Sequence, residues 1–255
     1  RGGGGAGGGG GGGGNPVLAA LAAGGAGMVA GALTGALATK LRIHGLLAGV
    51  LTMIMLYSLN LRIMGRPNLP LLGRPSALGV LAQALRVPRG WEALVGGGLV
   101  ALLGLGLLVL FLHTELGAAM RACGGNPDMV RAYGGSPDTM VILGLALSNG
   151  LVALSGALAA QYSGFADVGM GVGTIVAGLA SVIIGEVLLQ PRSVVLAALA
   201  VVLGSCAYRL AISVALRYGA ALGFTASDLR LLTALVVLGA LAAPALRAAL
   251  RGETP

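Results

Sequence analysis

Residues 17 to 37 read VLAALAAGGAGMVAGALTGAL, a run without a single charged side chain. As an α-helix it is about 31 Å long, which matches the hydrocarbon core of a bilayer. One face of that helix is nearly bare. Gly27, Gly31 and Gly35 recur every fourth residue, so the backbone of a neighbouring helix can approach closely there. The competing reading of the same glycines is local flexibility, because glycine is a poor helix former.

The rest of the chain asks for the same solvent. Hydrophobic residues make up 56% of it and charged ones 9%, with a mean hydropathy of +0.94; a water-soluble globule of that composition could not cover its surface with polar groups. The scarcity of aromatics and the abundance of Leu, Ala, Val and Gly favour packed helices over a β-barrel of alternating strands. Further apolar runs at 45–64, 92–112, 141–160, 168–189, 193–216 and 229–250 bring the candidate spans to seven. The predicted fold is therefore an all-α, polytopic membrane helix bundle occupying 17–250, followed by a short tail at 251–255. The linkers 161–167, 190–192 and 217–228 are short, so consecutive spans are antiparallel neighbours. Residues 65–91 are punctuated by Arg66, Pro67, Pro70, Arg74, Pro75 and Pro88 and read as a loop or an interfacial segment, closed by Trp91 as an aromatic anchor. Residues 1–16 form a poly-glycine, low-complexity segment that cannot bury apolar surface. It lacks the pattern of a signal peptide and is read as a truncation or replacement of a native start.

Several function classes drop out. The formal charge is +8, but the basic residues are scattered singly instead of forming a stripe with interleaved aromatics, so nucleic-acid binding is not expected. Cys123 and Cys206 show no CxxC spacing, and His44 and His113 are the two histidines, so neither a metal site nor a disulfide framework is indicated. A P-loop needs a lysine after glycine, whereas Lys40, the one lysine, stands between Thr39 and Leu41. No nucleophile–base–acid set stands out either, and serines such as Ser148 and Ser155 within membrane runs usually bond a helix carbonyl. The chain reads as a non-enzyme without a cofactor.

The polar interruption at 113–140 carries a motif of the form RAxGGxPD twice, as RACGGNPD at 121–128 and RAYGGSPD at 131–138. In each copy an N-cap residue, Asn126 or Ser136, precedes a proline at N1 and an aspartate at N2, where an acid complements the helix dipole. Each copy thus starts a helix. The first, beginning at Asn126, Pro127 and Asp128 and continuing through Met129, Val130, Arg131 and Tyr133, is stopped at Gly134 after about two turns. A helix that short is marginal alone. Either it docks on a partner, inserting Met129, Val130 and Tyr133 into a groove, or it is a well-capped connecting loop.

Polar groups inside spans are costly and hence candidates for function. Ser148 and Asn149 lie in the 141–160 run; Asn149 lines a pathway or forms an interhelical hydrogen bond. Glu186, near the end of the 168–189 run, latches a basic group or reaches water. Arg209 is expected to snorkel to the nearer interface. Lys and Arg divide equally between alternate loops, seven on each side, so charge alone leaves the orientation open.

The string from Met120 to Leu147, MRACGGNPDMVRAYGGSPDTMVILGLAL, resembles the cytoplasmic coupling segment of bacterial ABC importer permeases of the branched-chain amino acid and ribose type. The continuation SNGLVALSGALAAQYSGFADVGMGVGTIVAGLASVIIGE (148–186) and NLRIMGRPNLPLL (60–72) look closer still to the tryptophan/tyrosine ABC permease subgroup. That resemblance implies a permease subunit in the bacterial cytoplasmic (inner) membrane, with 113–140 in the cytosol. It also implies a separate ABC ATPase subunit, an extracytoplasmic solute-binding protein and a second permease copy, as a homodimer. In such a permease the polar candidates Ser148, Asn149 and Glu186 are the residues to line the pathway, and the resemblance implies a small solute such as an amino acid as cargo. Members usually begin with a further helix and a segment resembling FPDLTVDGSF, where this chain has glycines. An ion-coupled secondary transporter is the alternative; it would place ionisable groups near mid-membrane in repeated halves. A membrane scaffold without transport is a third.

Overall fold

The computed structural model describes residues 15–71, 75–88, 91–171 and 174–219. The poly-glycine tract up to residue 14, the expected seventh span at 229–250, the tail at 251–255 and the loop arginines Arg74 and Arg89 lie outside the described residues. The elements in chain order are α1 (Pro16–Lys40), α2 (Gly45–Met64), β1 (Asn68–Pro70), α3 (Ala77–Ala84), α4 (Glu92–His113), α5 (Glu115–Gly125), α6 (Pro127–Ala132), α7 (Pro137–Ser163), β2 (Phe165–Asp167), α8 (Thr174–Leu189) and α9 (Val194–Gly219). Five of them, α1, α2, α4, α7 and α9, are long and apolar enough to cross a membrane. Their large side chains face outward, Leu102, Leu107 and Leu110 of α4 among them, as lipid-facing surface should. The protein is a helical membrane bundle.

One expected span is corrected. The run 168–189 is not one helix: a strand and a turn occupy its approach, and α8 begins only at Thr174 and has 16 residues. Gly169, Gly171 and Gly173 crowd the head of that run. Hydropathy counts them as neutral, but each weakens a helix by about 1 kcal/mol relative to alanine. The polar interruption also holds more helix than expected, since α5 precedes the two-turn helix.

The chain divides into two compact units. In the first, which contains α1, α2, α3, α6 and α7 with both strands, α1 and α7 run antiparallel along a glycine seam. A methyl group built on Gly31 would sit 2.8 Å from Cα of Ala146; on Gly35, 2.8 Å from Cα of Ile142; on Gly27, 2.6 Å from the carbonyl oxygen of Asn149. Gly150 answers from α7, where an added methyl would meet Met28 Cγ at 2.6 Å. A side chain at Gly27, Gly31 or Gly35 would force the two backbones apart, whereas one at Gly150 would first displace the Met28 side chain.

Helix α2 is tied to α1 by a buried hydroxyl pair, Thr34 Oγ1 to Thr52 Oγ1 at 3.0 Å. Each oxygen is also 2.9 Å from a carbonyl of its own helix, Ala30 O and Ala48 O. With one proton apiece, one hydroxyl donates across the interface while the other donates back to its own turn. At the far end of α7, Gln161 holds three elements: its Oε1 accepts from the Ala77 N–H at 2.8 Å, and its Nε2 donates to the Pro16 carbonyl at 3.0 Å. The starts of α1 and α3 are thereby fastened to the end of α7. Beside this clamp, β1 and β2 pair antiparallel, Asn68 opposite Asp167 and Pro70 opposite Phe165. Flanking bonds from Leu71 N to Gly164 O (2.7 Å) and from Val168 N to Pro67 O (3.0 Å) lengthen the ribbon.

In the second unit, α8 and α9 pack antiparallel on a second glycine contact. A methyl group on Gly204 would lie 2.6 Å from the backbone nitrogen of Gly185, and one on Gly185 would lie 2.6 Å from the carbonyl carbon of Ala200.

Two outcomes follow from the first unit. Gly31→Leu should lower stability by about 1–3 kcal/mol, the usual cost of overpacking, whereas Gly25→Leu, with nothing within 4 Å of the added Cβ, should leave the detergent Tm unchanged; equal Tm values for the two variants would refute the seam. Gln161→Leu strands the Ala77 N–H and the Pro16 carbonyl, for a loss of about 1–3 kcal/mol. The sign to look for is faster hydrogen exchange at Ala77 than in wild type.

Candidate functional site

The repeated motif builds a compact corner. In its first copy the glycines Gly124 and Gly125 stay helical and close α5. Asn126 then swings to an extended backbone (φ −152°, ψ 97°), and its side chain accepts the Met129 N–H at 3.0 Å, which starts α6 behind Pro127. The second copy uses its glycines differently. Gly134 takes a left-handed φ of +81°, a conformation that glycine adopts without steric cost. The N–H groups of Tyr133, Gly134 and Gly135 close onto the carbonyls of Met129, Arg131 and Val130. Two residues later Ser136 caps α7, accepting the Thr139 N–H at 3.5 Å with Pro137 at N1.

Helix α6 is therefore six residues long, capped at both ends. Here the expected docking face is corrected, because Val130 is not on it: the side chain is 8% exposed. It fills the hollow left by Gly135, where an added methyl would meet Val130 Cγ1 at 2.7 Å. Burying this one isopropyl group against the start of α7 fixes the roll of so short a helix, and Val130 is an anchor. Met129 and Tyr133 point away, at 49% and 83% exposure. Asp128 and Arg131 pair at 2.9 Å on the open surface, where such a bridge adds little stability. Cys123, reaching back from α5, has its sulfur 4.0 Å from the Pro137 carbonyl. The corner presents two unpartnered apolar side chains on a rigidly capped turn.

The residues read as pathway candidates are placed separately. Ser148 is exposed on α7. Asn149 donates its Nδ2 to the Leu145 carbonyl of its own helix at 2.9 Å, an internal bond at a residue for which sequence leaves a pathway role and an interhelical bond open. Glu186 is exposed on α8, and among the described residues no basic group pairs with it.

A group set aside from the sequence is better placed. Arg209 lines a cavity of about 420 Å³ between α8 and α9, together with Ser181, Ser205 and Tyr208. Ser205, Arg209 and Ser213 recur at four-residue spacing, so the signal was present as one polar stripe in an apolar run. Arg209 by itself reads as a snorkelling side chain. Only its neighbours on both helices distinguish it.

The model of the branched-chain amino acid transport system / permease component family matches residues 6–242. The chain is 40% identical over 226 residues to a tyrosine transport system permease protein of Clostridioides difficile (strain R20291), an alignment covering 89% of this chain and 72% of that protein. It is 38% identical over 144 residues to an uncharacterized protein of Rickettsia prowazekii (strain Madrid E), covering 56% of this chain and 49% of the other. No solved structure matches it. With apolar spans, a capped corner and a family match that runs through nearly the whole chain, this integral membrane protein belongs to the branched-chain amino acid transport permease family.

Proposed function

We propose that the chain is the membrane-spanning permease subunit of an ABC-type importer in a bacterial cytoplasmic membrane, moving a small amino acid or a related solute. Energy comes from a separate ATPase, which docks on α6. An extracytoplasmic binding protein delivers the solute, and a second copy of the permease completes the pathway. Tyrosine is the first cargo to test, because a relative covering most of the chain is named for its transport.

The observation that carries this reading is the capped corner. An isolated two-turn helix has little intrinsic stability, yet α6 is fixed at its start by Asn126, at its end by the Gly134 turn and in its roll by Val130. The product is an apolar pair, Met129 and Tyr133, held outward at a defined angle. Small apolar anchors on a helix are what a groove in a partner grips. Within the first unit α6 lies by the start of α7, whereas Gln161, α3 and the β-ribbon lie by its end, so the two stand at opposite ends of a membrane-crossing helix, as a cytoplasmic α6 and an external ribbon require.

The double variant Met129→Asp/Tyr133→Asp places charge in the contact and leaves caps and anchor in place. It should insert and melt like wild type, and it should lose ATPase stimulation and transport together by about tenfold or more, as expected when anchors near a contact centre are removed; normal coupling would reduce α6 to a connecting turn. Val130→Asp should instead destabilise the corner itself. For orientation, in a background with Cys123 and Cys206 replaced by serine, Asp128→Cys should resist an impermeant maleimide in intact cells, and Asn68→Cys should react. The reverse pattern would overturn the topology.

A further inference from the structure

The geometry points to the cavity between α8 and α9 as a binding site for the zwitterionic head of a small amino acid, with Arg209 as the counter-ion of its carboxylate. This rests on the reading of the chain as an amino-acid permease.

The space, about 420 Å³, is within the usual range for small-molecule sites. Its polar lining falls into two sets. Thr174, Ser181 and Ser213 have their protons committed, donating to the carbonyls of Gly171 (2.7 Å), Ala177 (2.7 Å) and Arg209 (2.8 Å). What remains on those oxygens is acceptor capacity. Arg209 can only donate, and Ser205 and Tyr208 have free hydroxyl protons, with no hydrogen-bond partner among the described residues. Tyr208 is the telling member: its side chain is 6% exposed, yet it lines the cavity, and no side-chain oxygen or nitrogen of the described residues is both buried and unsatisfied. Its hydroxyl therefore keeps accessible surface, on a residue that lines the space.

The charge of Arg209 asks for a partner. It stands about 23 Å along α9 from Val194, inside a helix segment apolar enough to span a membrane. A guanidinium at such a position is costly unless paired, and the ion pair found among the described residues is Asp128 with Arg131. An α-carboxylate matches the planar fork of the guanidinium, with two parallel hydrogen bonds. The three acceptor oxygens suit an ammonium group. A site for a bare anion would be lined by donors throughout, and this one is not. The competing source of the same chemistry is a phospholipid head bearing an amine and a phosphate.

The test is equilibrium binding by the purified full-length permease in nanodiscs, using L-tyrosine and L-leucine beside their amides, which lack the carboxylate. Wild type should prefer at least one acid over its amide by tenfold or more. Arg209→Gln should erase that preference while Arg209→Lys retains part of it, and Tyr208→Phe should weaken the acid several-fold at an unchanged Tm. The ratio of acid to amide is the readout, since a merely misfolded variant would lose both ligands equally. Wild type that binds neither acid, an Arg209→Gln variant that keeps the preference, or loss of co-purified phosphatidylethanolamine as the sole effect of Arg209→Gln would each overturn the inference. Uptake in the native host separates this from the underlying reading. Gene-dependent uptake of either amino acid that Arg209→Gln leaves unchanged removes the inference alone, whereas uptake of both that is unaffected by deleting the gene removes the permease reading.

Discussion

Everything in the first unit depends on how closely two backbones can lie together in a solvent that does not push them together. In lipid the hydrophobic effect gives no preference for helix–helix over helix–tail contact, so association rests on dispersion at short range and on a few hydrogen bonds. The α1–α7 seam maximises the first by removing side chains at Gly27, Gly31 and Gly35. It supplements this with the second through Gln161, and the Thr34–Thr52 pair does the same for α2. The same device recurs between α8 and α9 at Gly185 and Gly204. The abundance of glycine, which in water would speak for disorder, is here the condition for packing.

The corner at α5, α6 and α7 follows different rules. There the chain relies on local chemistry: a side-chain cap at each start, proline where no donor is needed, a left-handed glycine at the stop. These features fix backbone direction without requiring much buried area. One valine supplies the tertiary contact, and two larger apolar groups remain outside. The result is a surface element that is precisely held and incompletely covered, with Met129 and Tyr133 fixed in position and orientation.

The sequence made some of this legible and concealed the rest for identifiable reasons. Spans were visible because a membrane helix must be apolar along its whole length, and the run at 45–64 coincides with α2. Helix starts were visible because Asn-Pro and Ser-Pro specify a cap within two residues. The start of α8 was not, because glycine is neutral to hydropathy and adverse to helix. The inward roll of Val130 was hidden because six residues are too few to display a periodic face. Gln161 joins residues 145 positions apart, and no local pattern announces such a bond. Arg209 was visible as a charge, but its meaning lies with Ser181, which becomes its neighbour only once α8 and α9 have paired.

The four-residue spacing of Gly27, Gly31 and Gly35 has a mechanical corollary. Sliding α1 along α7 by one repeat, about 6 Å of helical rise, would set glycine where glycine had been at two of the three positions but bring Ala23 or Thr39 to the third, so the seam itself resists the slip. Gln161 opposes the same slip, because a shift of one repeat would carry the Pro16 carbonyl out of reach of its amide. The pair is thereby a strut of fixed length between the α6 corner at one end of α7 and the Gln161 clamp at the other.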